Sequence, residues 1–174
     1  VDSTKDRQYL TNNIELELDS KISNIIDTKL SYEFLILESN NYDEWISDTN
    51  SNTEFISDYN DYLQHTVSGS VDFQWSKRFR TDFDSSVEIR NFTNYIARDA
   101  AGVFLAGDEK RNDLTIYFDA ELGFVIWSNP AGAEAELIGR FWLDRSISNM
   151  EYESSFDTNS DFFGGLLGVE LRLP

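Results

Sequence analysis

Charge is the most regular chemistry in this chain. Glu15, Glu17, Asp19 and Lys21 fall at every second position, and the residues between and before them, Ile14, Leu16 and Leu18, are apolar. The same spacing returns with Lys29 and Glu33, with Asp72, and with Asp82, Asp84, Glu88 and Arg90. It returns again with Asp119 and Glu121, with Glu134, Glu136, Arg140 and Asp144, and with Glu170 and Arg172. Acids outnumber bases in this set. Such a mixture can neutralise itself in ion pairs, or present an acidic wall that favours cations over anions. Arg90 and Arg140 are expected to pair with acids such as Glu88, Asp119, Glu121 or Glu136.

Catalytic chemistry is poorly supplied. His65 is the only histidine, four residues after Asp61, and a general base needs a nucleophile or water within reach. Neither G-x-S-x-G nor H-E-x-x-H occurs, and there is no cysteine. The expectation is a protein that is not an enzyme and uses no cofactor. Between 39 and 62 lie Asp43, Glu44, Asp48, Glu54, Asp58 and Asp61, with no Lys or Arg. Carboxylate oxygens in such numbers can hold Ca²⁺, but EF-hand spacing is missing, and a solvated acidic loop is the favoured reading. Metal binding stays open.

A period of two is the signature of β-strands, whose successive side chains leave opposite faces. Seven segments carry it: 10–22, 27–38, 63–76, 80–97, 113–127, 133–147 and 162–173. Each sets an apolar row against a polar one, as Val67, Gly69, Val71, Phe73 and Trp75 do against Ser68, Ser70, Asp72 and Gln74. Ordinary strands run about five or six residues. Segments of ten or more suit strands that cross a bilayer at a tilt. The expected fold is all-β, an antiparallel transmembrane up-and-down β-barrel forming a single domain over 1–174.

In that fold the charged face lines the lumen and the apolar face meets lipid, because Arg at the lipid midplane costs about 2–4 kcal/mol. The expected lumen charges are Glu15, Glu17, Lys21, Lys29, Glu33, Asp72, Asp84, Glu88, Arg90, Asp119, Glu121, Glu136, Arg140, Glu170 and Arg172. Tyr32, Trp75, Tyr95, Trp127 and Trp142 are candidates for interfacial girdles. The alternative is a soluble β-sandwich or β-barrel binding module with one charged sheet face, since half-buried antiparallel sheets alternate in the same way.

The connections alternate in length. Short turns fall near Ser23-Asn24, Lys77-Arg78 and Asn129-Pro130-Ala131-Gly132, and long loops at 39–62, 98–112 and 148–161. Short turns at one rim and long loops at the other is the asymmetry of outer-membrane barrels. Seven strands leave an odd count where bacterial barrels have an even one. An eighth strand is therefore expected before the first, with Val1 to Asp6 as the tail of an outer loop. The chain then reads as the C-terminal part of a larger barrel, or as a subunit completed by other barrel chains. A short strand hidden in 52–59 or 102–105 is the other way to correct the count.

Composition agrees with this reading. Thirty-two acidic against fourteen basic residues give a net charge of −18, which repels nucleic-acid phosphates. No stretch approaches 18 consecutive apolar residues, as a membrane helix would need, but barrels carry no such stretch.

Three features of 111–174 carry a family likeness. Arg111-Asn112-Asp113 opens a long strand. Ser148-Asn149 precedes a loop with Tyr152, Asp157 and Asn159, and Phe163-Gly164-Gly165 leads the last strand. This portion resembles the C-terminal part of bacterial outer-membrane β-barrel proteins. The resemblance implies export to the outer membrane of a Gram-negative envelope, a lipid bilayer as partner, and a role as pore, transport component or structural envelope subunit. The acidic loops would then coordinate divalent ions beside lipopolysaccharide. Terminal strands of that family usually end in an aromatic residue, and Leu171-Arg172-Leu173-Pro174 departs from the pattern.

Overall fold

The computed structural model describes residues 8–40, 44–58, 60–152 and 160–173. Val1 to Asp6, Asp43, Asp157, Asn159 and Pro174 lie outside the described residues. Nine strands follow in chain order: β1 (Gln8–Ser23), β2 (Ile26–Asn40), β3 (Glu44–Ser47), β4 (Thr53–Ile56), β5 (Tyr62–Gln74), β6 (Phe79–Ile96), β7 (Lys110–Ser128), β8 (Glu134–Ser148) and β9 (Ser160–Arg172). Seven of them form one antiparallel sheet in the order β1-β2-β5-β6-β7-β8-β9, and β3-β4 is a separate hairpin. The alternating segments thus become the seven sheet strands, each within a few residues of its expected bounds.

The sheet is open. Each of its strands pairs with its neighbour in sequence, and β1 and β9 remain its two edges, so the ladder does not close into a barrel. The segment 52–59 does contain a strand, β4, but it pairs with β3 and adds nothing to the wall. Within 102–105 only an isolated bridge from Phe104 to Arg98 occurs.

Local chemistry sets the turns. In the β7–β8 connection Asn129 Oδ1 accepts from the Ala133 backbone N–H at 2.9 Å, while Gly132 takes φ 93°, a conformation glycine adopts freely. In the β5–β6 turn the Ser76 hydroxyl accepts from the backbone N–H groups of Arg78 and Phe79, both at 3.2 Å. Register shifts occur only near strand ends, at Lys21/Ser23, Asn91/Ile96 and Val125/Trp127. The middle of the ladder is unbroken.

The long connections build a cap. The β3–β4 hairpin turns on Asp48, whose carboxylate accepts from the Asn52 backbone at 2.8 Å and its side-chain amide at 2.7 Å. Next to it, Thr49 donates to the Ala101 carbonyl at 2.8 Å, and Gly102 (φ 80°) sits against Thr49 and the Tyr152 ring with no room for a Cβ. Arg98 lies over Tyr152, 4.7 Å from the ring centroid. Beneath, Met150 is fully enclosed with Phe92 and Tyr95, and Tyr62 packs on the same cluster.

Burial alone would raise the Asp48 carboxyl. The hydrogen bonds from the Asn52 side chain and backbone, and from the Asn50 and Phe104 backbones, outweigh it and hold Asp48 below the ordinary aspartate range. A depressed folded value means that the carboxylate stabilises the hairpin fully above the unfolded value of about 3.9 and loses that contribution as pH falls through the folded one. Emission of the hairpin residue Trp45 is expected to change in acid below about pH 4, and Asp48→Asn should flatten that change. Identical acid profiles for the two proteins would remove Asp48 as the titrating group.

Candidate functional site: the charged face of the sheet

Register decides which side chains share a face. Directly opposed residues form rows across the sheet, such as Lys21–Asp27–Asp72–Asp82–Glu121–Arg140 and Glu15–Glu33–Thr66–Glu88–Thr115. By these rows every charged residue expected from the sequence to share a side does so, from Glu15 on β1 to Arg172 on β9. The side chains crowd there. On β7 and β8, Asp119 and Glu136 are 4% and 3% exposed, while Leu122 and Leu137 on the opposite face of the same strands are 50% and 39% exposed. Crowding on the charged side and splaying on the apolar side is the packing of a sheet curled toward its charges.

Arg80 is the hub of the charged face. It donates from Nε to Glu136 at 2.9 Å and from Nη2 to Glu121 at 2.5 Å, and it also pairs with Asp82. Glu136 in turn meets Arg172 Nη2 at 2.8 Å, an ion pair whose angle lies outside hydrogen-bond geometry. Arg172 reaches Glu170 at 3.3 Å, and so bridges two carboxylates, Glu136 and Glu170, that stand directly opposite each other. Without that bridge the facing acids would repel. Gly123 makes room for the hub: a Cβ there would collide with Glu136 Oε1 and Arg80 Nε.

Further pairs brace the neighbouring strands. Arg140 Nε binds Asp119 through both oxygens, at 3.1 and 2.9 Å, and Tyr117 donates to the same carboxylate at 3.2 Å. Arg90 holds Glu88 at 2.8 Å and Gln64 at 3.1 Å, with its guanidinium 4.6 Å from the Tyr62 ring centroid. Lys29 pairs with Glu17 at 2.7 Å. Arg90 and Arg140 thus find acids from the expected set, Glu88 and Asp119. Among the described residues no three carboxylates or imidazoles converge as a metal site would require.

Some members of this face were not legible in the alternation. Arg80 shares the parity of Asp82 and Arg90, a signal that was present but sits at a strand start, where the pattern fades. Ile138 and Trp142 on β8, and Phe162 and Leu166 on β9, also stand on the charged side. There the Trp142 ring fills the space a Cβ on Gly164 would need. Beside the Phe162–Leu166 part of β9 the charged face is therefore apolar, while Glu170 and Arg172 keep it charged toward the strand's end. Of the girdle candidates, Trp142 and Tyr95 turn to this side, and Tyr95 belongs to the buried cluster. Trp75 and Trp127 lie exposed on the apolar face beside the short turns. Tyr32 lies mid-strand on that face, hydrogen-bonded to His65 Nδ1 at 2.8 Å.

No protein-family model matches this chain, and neither a curated protein nor a solved structure was found to match it. None of these comparisons supports the expected likeness of 111–174 to outer-membrane barrels.

Two substitutions separate the hub from its surroundings. Glu136→Ala leaves Arg80 short of a partner and is expected to destabilise the sheet by about 2–3 kcal/mol, less than the roughly 3–5 kcal/mol of a dry pair because Arg172 is half exposed. Gly123→Leu should cost about 1–3 kcal/mol through overpacking of the same space. In a urea melt the double variant should fall short of the sum of the two, since both break one network. Full additivity would mean that Gly123 does not serve the hub.

Proposed function

We propose that this sheet is part of the wall of a transmembrane β-barrel in a bacterial outer membrane, serving as a pore, transport component or structural envelope subunit. The observation that carries the reading is the inverted exposure of the two faces. A protein folding in water covers its apolar side chains and leaves charges bare, whereas here the charges of β6 to β8 crowd together and the apolar face of the same strands lies open. Among the described residues no element covers that face. Lipid would.

The dimensions suit a bilayer. On β7 the apolar row from Leu114 to Phe124 spans ten residue steps. At about 3.4 Å per step and a tilt of about 40°, that row rises about 26 Å, against an apolar band of about 25 Å in known barrels. Phe73, Trp75, Phe79, Phe124 and Trp127 cluster beside the short turns on the apolar side, where a headgroup girdle would lie. The long connections form the cap at the other rim, which in this reading is the outer one.

Closure adds a parity condition. With every neighbour antiparallel, β1 and β9 run in the same direction, so a wholly antiparallel barrel needs an odd number of added strands between them. Those strands would come from elsewhere in a longer chain or from other chains, and lipid is the partner of the apolar face.

The chain contains no cysteine, so single cysteines report cleanly. After envelope fractionation, Ser68→Cys should react with a membrane-impermeant thiol reagent, and its neighbour Val67→Cys only with a lipid-soluble one. Boiling should also shift the protein's gel mobility, as melting of a barrel does. A protein recovered in the soluble fraction, with Val67→Cys freely labelled by the impermeant reagent, would overturn the membrane reading. That outcome would instead favour a soluble binding module.

A further inference from the structure

The charged face is not uniformly filled. Over β6 to β9 it is occupied by long ion-paired side chains and Trp142, whereas across β2, β5 and β6 it falls to Ser31, Ser68 and Ser86 in one row and Ser70 in the next. These small residues leave a trough of about 440 Å³ between Lys29, Asp84 and Tyr117. A second trough of about 370 Å³, toward the short-turn rim, shares Lys29 and Ser70 with it. A third, of about 450 Å³, begins one row toward the capped rim at Glu88 and Thr115, next in parity to Ser86 and Tyr117. Together they mark one oblique strip of open volume across the face, the third trough also walled by Arg90, Arg111, Phe92 and Tyr95.

Resting on the membrane-wall reading, we propose that this strip is the permeation path for small hydrated cations, and that the opposite half of the face is bracing that carries no flux. The hydroxyls of Ser31, Ser68, Ser70 and Ser86 offer donors and acceptors without charge, so over the serine stretch a hydrated ion meets no tight ligand. Sign selection comes from the acids along the strip. Lys29 is already neutralised by Glu17 at 2.7 Å, whereas Asp72 and Asp84 have no ion-pair partner among the described residues. Asp72 reinforces the negative field at Asp84, with Arg140 partly offsetting it, while Asp119 and Glu121 are largely neutralised by Arg140 and Arg80.

The test is planar-bilayer conductance of the protein purified from the membrane fraction, with heat-modifiability checked on the same sample. Wild type should conduct with cation preference. Loading Ser68→Cys with a bulky water-soluble thiol reagent should remove most of the conductance, while the same reagent on Ile138→Cys, in the braced half, should remove little. Asp72→Asn with Asp84→Asn should shift the reversal potential toward that of a non-selective pore. Inserted, heat-modifiable protein that does not conduct, or that conducts unchanged after Ser68→Cys is modified, overturns the path while leaving the membrane wall standing. Failure to reach the membrane fraction overturns the wall reading itself, and the path with it.

Discussion

The register of the antiparallel ladder is the constraint on which everything else in this molecule depends. With a side-chain period of two, a slip of one residue on any strand would carry its whole charged row to the apolar face. On β6 a slip would move Arg80, Asp82, Asp84, Glu88 and Arg90 together, and on a lipid face each Arg alone would cost about 2–4 kcal/mol at mid-depth. The irregularities confined to strand ends, and the turns tied by Ser76 and Asn129, hold the central pairing where the alternation needs it. Faces of opposite chemistry follow from that register.

On the charged side, stability comes from networks more than from pairs. An isolated, hydrated ion pair contributes about 0–1 kcal/mol. Arg80 escapes that limit because it serves acids on three strands at once, Asp82 on β6, Glu121 on β7 and Glu136 on β8, and Arg172 extends the chain of contacts to β9. Two glycines matter here for the space they leave. Gly123 admits the Arg80–Glu136 contact, and Gly164 admits Trp142. The cost of crowding these groups falls on one half of the face and leaves the serine-lined half open. In the proposed reading, structural and transport demands are thereby separated across the same sheet.

Most of the strand plan was legible because amphipathic strands repeat one local rule over long runs. The charges of β1, β2, β5 and β7 sort correctly on alternation alone, since no packing interaction competes with it. Legibility fails where a residue's role depends on a distant partner. Leu166 and Phe162 share the parity of Glu170 and Arg172, but only pairing with Arg140 and Asp144 shows which groups they pack beside. Phe92 and Tyr95 share β6 while Met150 lies beyond β8, and they meet where the β6 end departs from register. Of the β3–β4 hairpin only a short strand within 52–59 is anticipated, as an alternative, because strands of four residues are too short to display a period.

By itself, then, the sequence determined the all-β class, the seven long strands, the rim asymmetry and the sorting of most charge to one side, from which the Arg145–Asp161 pair departs. Each of these depends on side chains a few positions apart, and alternation along one strand records it. The tertiary structure decided which acids meet which bases, where the charged face is packed or open, and that the seven strands leave two free edges running the same way. Those depend on residues such as Arg80 and Glu136, whose distance along the chain says nothing of their distance across the sheet. Periodicity carries the parity of a side chain, but only cross-strand pairing supplies its neighbours.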